Sequence, residues 1–267
     1  MERCNPNSTP TLQTTLGKHK DAPLMEESWN YRAICGMLLY LSTNTRPDIS
    51  FAVSQVCRFS NEPKKPHATA VKMILRYLKK TEDKGLIIRP TLDQFHLDMY
   101  VDADFCGLYG QEETQDPNSV RSRAGYVILL GGWPIIWKSH LITRICTSTF
   151  ESEYTALSSS LKTFLPLKWM IQEMITKTDS KALKDVRVLA TVFEDNQSCY
   201  QLAVNQKISS KTRWIQNSMH WFWAQVNDPV DGFTIVKCPS SEMKADYLTK
   251  PLPRATFEYI RQLVQGW

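Results

Sequence analysis

The chain has 267 residues, 42% hydrophobic and 22% charged, with a formal net charge of +5, a balance that supports a packed core, excludes wholesale disorder and permits a nucleic-acid partner. No apolar run reaches the roughly 18 residues of a membrane span, and the stretch MERCNPNSTPTLQTT lacks the apolar centre of a signal peptide. Seven scattered cysteines without a CxxC pair argue against zinc ribbons and redox dithiols, so the expectation is an intracellular protein, cytoplasmic or nuclear, not secreted and without a membrane partner.

Residues 1–28, with Pro6, Pro10 and Pro23, read as an extended tail. Three helices are expected next. Trp29 to Ser42 places Ile34, Met37, Leu38 and Leu41 at helical spacing. Pro47 and Asp48 open a second helix reaching about Ser60, with Ile49, Ala52, Val53 and Val56 inward. Pro66 suits the first turn of a third, whose apolar face is Ala70, Val71, Ile74 and Leu78. Lys64, Lys65, Lys72, Arg76, Lys79 and Lys80 also fall here. They form either a solvated helix face or a surface for phosphates.

The texture then changes. Gly85 to Arg89, Phe95 to Val101, Ala124 to Leu130 and Ile135 to Ser139 read as strands, with a polar loop over 108–121. A long helix is expected from Phe150 to Thr176, kinked or broken at Pro166. Asp185 to Phe193 reads as a buried strand, followed by a short helix after Asp195 and another over Trp214 to Val226. Phe233 to Lys237 is a last strand, and Ser241 to Thr249 and Arg254 to Val264 read as helices. Strands first, then alternating helices and strands, give an α/β fold whose sheet starts antiparallel and continues parallel.

Four acids fall at element ends: Asp102 in YVDADFCG, Glu153 in TSTFESEYTAL, Asp195 in VFEDNQSCY and Asp246 in EMKADYLTK. Carboxylates gathered at one point repel, and some take up protons unless a cation neutralises them. Mg²⁺ prefers a few carboxylates with water and phosphate. Two such ions roughly 4 Å apart can activate water and stabilise a leaving oxygen in phosphodiester hydrolysis. Each acid also has a plain structural reading. Asp102 and Asp104 suit a strand-end turn, Glu153 the positive end of a helix and Asp195 with Asn196 a helix cap, while Asp246 suits a solvated helix. Ser148 with Glu151 fits a capping box. No GxSxG elbow or GxxxxGK[ST] phosphate loop is present.

At these residues the sequence resembles the C-terminal end of a copia-type LTR retrotransposon Pol polyprotein. YVDADFCG and SVRSRAGYVILLGGWPIIWKS resemble the first three strands of its RNase H domain, STFESEYTALS its catalytic-Glu helix, EDNQSCYQLA the third acid and KADYLTKPL the fourth. YRAICGMLLYLSTNTRPDISFAVSQVCRF and HATAVKMILRYLKKTEDKGL resemble the stretch joining reverse transcriptase to RNase H. After the extended tail read at 1–28, the resemblance implies a helical reverse-transcriptase connection remnant at 29–90, forming an appendage, and an RNase H-like domain at 91–267. That domain would be a five-stranded mixed sheet flanked by helices. Asp102, Glu153, Asp195 and Asp246 map onto the metal-binding catalytic acids, Glu153 rather than Glu151 because it belongs to the xEY unit. The implied cofactor is two Mg²⁺ ions, or Mn²⁺. The implied activity is cleavage of the RNA strand of an RNA–DNA hybrid, held through the nucleic acid backbone.

The sequence departs from that pattern in four places, one being that no histidine lies within 227–245, where cellular ribonucleases H carry an assisting one. No YxDD of a polymerase palm is present. KTRWIQN stands where the family usually shows RTKHID, and Pro166 replaces a helix former. Two readings therefore stand: a metal-dependent endoribonuclease, and a catalytically inactive remnant that either still binds nucleic acid or merely folds.

Overall fold

Period-two alternation builds the centre of the molecule. In the computed structural model, which describes residues 4–26, 28–88, 95–110, 116, 118–178, 186–210 and 212–267, strand β1 spans His96–Asp104. Its Leu97, Met99, Val101 and Ala103 enter one core, and Tyr100 enters a second on the opposite face. β2 (Arg123–Leu130) divides the same way: Ala124, Tyr126 and Ile128 against Val127 and Leu129. Burial on both faces explains why this strand reads as a nearly continuous apolar run. The two-residue turn Gly131-Gly132, with φ of 58° and 86°, leads into β3 (Trp133–Leu141). Both positions need the left-handed region, which glycine enters without a Cβ clash. Pro134 is tolerated because β3 is the sheet edge.

The sheet is completed by β4 (Leu189–Glu194) and β5 (Thr234–Lys237), in the order β3-β2-β1-β4-β5. β1–β2 and β2–β3 are antiparallel, while β1–β4 and β4–β5 are parallel. The expected five-stranded mixed sheet flanked by helices is therefore the architecture present. No helix among the described residues is long and apolar enough to cross a membrane.

One face is covered by α4 (Thr149–Thr176) and by α5 (Gln197–Asn205). Ser148 caps α4 by accepting from Glu151 N, and Asn196 caps α5 by accepting from Ser198 N and Cys199 N. Contrary to the expected break, α4 runs unbroken through Pro166. Pro166 is exposed, as is Lys162 four residues earlier, so the carbonyl deprived of its amide partner faces water.

The other face is covered by α1 (Tyr31–Asn44), α2 (Ser50–Cys57), α3 (Lys65–Lys80) and α6 (Arg254–Gln265). Ile49, Ala52, Val53 and Val56 are buried as expected, as are Val71 and Ile74. The inward stripe of α1 differs: Tyr31, Cys35, Leu38 and Ser42 are buried, whereas Met37 is 61% exposed. A polar knot ties these helices together. Arg46 and Asp48 form a buried ion pair at 2.8 Å, Arg46 also donates to Thr81 O at 3.2 Å, and Gln265 Nε2 donates to Asp48 Oδ1 at 3.3 Å.

Three expected elements are not formed. Gly85 to Ile88 is no strand; Ile87 N instead donates to Gln265 O at 3.1 Å. Trp214 to Val226 is no long helix but includes two short 3₁₀ turns, Asn217–His220 and Trp223–Gln225. Its neighbouring aromatics all engage α4, with Trp221 Nε1 donating to Ser158 O at 3.2 Å and Trp223 Nε1 to Tyr154 Oη at 2.8 Å, which a regular helix facing one way would forbid. Ser241 to Thr249 likewise forms two 3₁₀ turns, Ser240–Glu242 and Asp246–Leu248. Arg89, Asp185, residues 111–115 and 117 of the loop expected over 108–121, and the boundary expected at 90/91 lie outside the described residues.

Candidate metal centre

Three separate elements deliver three carboxylates to one point. Asp102 lies near the end of β1, Glu153 in the first turns of α4 and Asp195 directly after β4. One oxygen from each lies within 4.8 Å of the others. Asp102 and Glu153 are buried, and Asp195 is half-buried. The parallel pairing of β1 with β4 explains the convergence, since it places the C-terminal ends of both strands together.

Asp246 stands outside this trio but is coupled to it. Lys250 Nζ lies 2.9 Å from Asp246 Oδ1 and 4.0 Å from Asp102 Oδ2, and Thr249 Oγ1 donates to Asp102 Oδ2. Gly125 makes this approach possible. It is the β2 partner of Asp102, and a Cβ there would meet Thr249 Cγ2 at 2.7 Å and Leu248 Cβ at 2.8 Å. Asp104 follows Asp102 on the strand without joining the trio.

The electrostatics follow from burial and crowding. Burial pushes the Asp102 carboxyl up, against the pull of Lys250 and Thr249. Glu153 is held well above the usual carboxylate range by burial, then by Glu194, Asp102 and Asp195. Asp246 is pushed up to about 7 by burial and by Asp102, and Asp104 to about 6 by the same two causes. Burial opposes the charge of Lys250, but Asp102 and Asp246 outweigh it and hold the ammonium above its ordinary value. Such a cluster is deficient in positive charge. Glu153 Oε2 is buried without a hydrogen-bond partner, and the donor set is all hard oxygen. Both features fit a divalent cation of the Mg²⁺ type.

Glu151 has a different task. Its carboxylate accepts from Thr147 N at 2.6 Å and Thr147 Oγ1 at 2.9 Å and pairs with Arg144. It therefore organises the start of α4, and its carboxylate is not among the trio's. Sequence reasoning missed Thr249 and Lys250 as members of the site. Their position three and four residues after Asp246 was the available signal. It also passed over Glu194, fully buried beside Asp195 and pushed up to about 8 by burial.

No protein-family signature matches the chain. It is 33% identical over 270 residues to the retrovirus-related Pol polyprotein from transposon TNT 1-94 of Nicotiana tabacum, covering 99% of this chain and 19% of that one. It is 29% identical over 258 residues to the corresponding polyprotein from transposon RE1 of Arabidopsis thaliana, covering 97% and 16%. Over nearly its whole length the chain is similar to copia-type retrotransposon Pol polyproteins. It spans only a small part of those relatives' length, 19% and 16%. Among solved structures, the RNase H1 of the halophilic archaeon Halobacterium salinarum NRC-1 aligns with it at a TM-score of 0.37 and 14% identity, covering 58% of this chain and 94% of that one.

Proposed function

We propose that this chain is a ribonuclease H, a metal-dependent endonuclease cleaving the RNA strand of RNA–DNA hybrids. The observation that carries this reading is the convergence of Asp102, Glu153 and Asp195 from three elements within 4.8 Å. Asp102, Glu153, Asp195 and Asp246 would hold two Mg²⁺ ions, or Mn²⁺. Bound ions of this kind supply an activated water and neutralise the leaving oxygen. The protein's own contribution is placement. β1 and β4 fix two acids, the capped start of α4 fixes the third, and Thr249 orients Asp102. Within this reading residues 29–90 are the end of the reverse-transcriptase connection and 91–267 the RNase H-like domain.

The test is cleavage of a labelled RNA–DNA hybrid with and without Mg²⁺ or Mn²⁺, on wild type and Asp102→Asn. Wild type should cut only with metal. Asp102→Asn should lose cleavage by orders of magnitude, while its metal-free stability holds or rises because repulsion is relieved. A wild-type chain that cuts no hybrid with either ion defeats the proposal and leaves a folded remnant.

A further inference from the structure

A second site is suggested away from the acids, where residues 16–25 fold back over the turn between α2 and α3. The segment is held by backbone bonds: Met25 N donates to Pro63 O and Lys65 N to Pro23 O, both at 3.0 Å. His67 Nε2 meets Gly17 O at 2.9 Å, and Arg58 Nη1 meets Leu16 O at 3.3 Å. Between segment and turn lies a cavity of about 330 Å³ whose lining includes Lys18, Lys20, Arg58 and Lys64, with Glu62 as its one carboxylate. Lys18 is also paired with Asp116.

The basic groups rest on an aromatic floor. Phe59 is buried and stacks on His67 with ring centroids 3.9 Å apart, and the Arg58 guanidinium lies 5.0 Å from the Phe59 ring. Stacking holds the guanidinium plane, so less side-chain freedom is lost when an anion binds. A concave surface rich in cations with a fixed arginine is suited to phosphate.

Its position relates it to the acids. Asp116, partner of Lys18, belongs to the connection that follows β1. Ser54, one turn before Arg58 on α2, accepts from Arg123 Nη1 at 2.7 Å. Arg123 opens β2 and pairs with Asp104, two residues beyond Asp102. Cavity and acids therefore stand at the same end of the sheet.

We propose that this cavity binds a backbone phosphate of the nucleic acid whose scissile bond lies at the acids, so that the helical segment before the sheet anchors the hybrid. The proposal rests on the nucleic-acid reading above but not on catalysis. Removing one phosphate-binding cation lowers the steepness of log K against log salt by about 0.9. The test is fluorescence anisotropy of a labelled RNA–DNA hybrid in EDTA across a salt series, using the full chain. Lys20→Gln with Lys64→Gln should flatten the slope by about 0.9, the loss of one phosphate contact, and weaken binding at low salt. Lys20→Glu alone, on an exposed residue whose backbone bonding remains, should weaken binding in the same direction. Lys177→Gln, at the far end of α4, should leave the slope unchanged. Wild-type binding with an altered slope in the double variant upholds the site even if no cleavage is detected. An unchanged slope, or no hybrid binding by the wild type, overturns it.

Discussion

Tyr154 Oη stands 2.7 Å from His220 Nδ1 while accepting from Trp223 Nε1 at 2.8 Å. Through this junction the segment 217–225 grips α4 one residue beyond Glu153. Tyr154→Phe leaves the buried His220 nitrogen and the Trp223 N–H without their partner. The expected loss is about 1–3 kcal/mol, read from the urea midpoint. An unchanged midpoint would show that the junction is not stabilising.

The raised acids make metal-free stability depend on pH. Asp246 at about 7 and Asp104 at about 6 still hold protons in the folded protein where an unfolded carboxyl, near pKa 4, has lost its own. Folding therefore binds protons, and stability falls as pH rises from about 4 towards 7. Asp102 and Glu153 are shifted in the same direction. Calorimetry in EDTA should show the melting temperature dropping across this window, and Mg²⁺ should flatten the drop. A metal-free melting temperature that climbs from pH 4 to 7 would contradict the burial of these groups.

Glu151 and Glu153 sit two residues apart and should respond oppositely to amide substitution. Glu151→Gln weakens charge-assisted bonds at the start of α4 and should reduce stability by about 1–3 kcal/mol while largely sparing hybrid cleavage. Glu153→Gln removes a repelled carboxylate with one oxygen, Oε2, that has no hydrogen-bond partner. It should leave metal-free stability equal or higher and abolish cleavage. Unfolding and cleavage measured on both variants decide the pair, and the reverse pattern would exchange their roles.

Lys250 acts as the cluster's internal counter-ion. Its side chain is 39% exposed, so screening limits the effect of Lys250→Gln on metal-free stability to a loss of about 1 kcal/mol. The same change removes a cation competing with divalent ions. Calorimetric titration with Mg²⁺ should show tighter binding than wild type; weaker binding would mean that the ammonium cooperates with metal.

Residues 102, 153 and 195 were legible as a group because each sits at the end of an element whose type the local pattern declares. The strand alternation around Asp102 and the apolar spacing after Glu153 are short-range signals, and the resemblance aligned them. Asp246 was legible as a residue but not in its setting. A helix read from 241–249 gave way to a 3₁₀ turn because Gly125 opens space at the sheet and Thr249 reaches Asp102, interactions made across more than a hundred residues. The same limit hid the fate of 214–226, whose Trp221 and Trp223 obey α4 rather than their own periodicity. Met37 shows a smaller error of the same origin. Apolar spacing alone does not say which of two adjacent stripes meets the core.

The second core also ties together residues far apart in sequence. Gln265 reaches Asp48, Arg261 Nη1 reaches Tyr77 Oη at 3.2 Å and Trp267 Nε1 reaches Gly85 O at 2.6 Å, across 217, 184 and 182 residues. Loop-closure entropy must be met before such pairings give anything back, and topologies dominated by them fold slowly. During synthesis α1–α3 emerge long before their covering partners Phe257 and Ile260. Their apolar faces gain the cover of Phe257 and Ile260 only once α6 has been made. Chaperone demand and aggregation in this chain should therefore be set by the interval between those two events, and by α6 above any other helix.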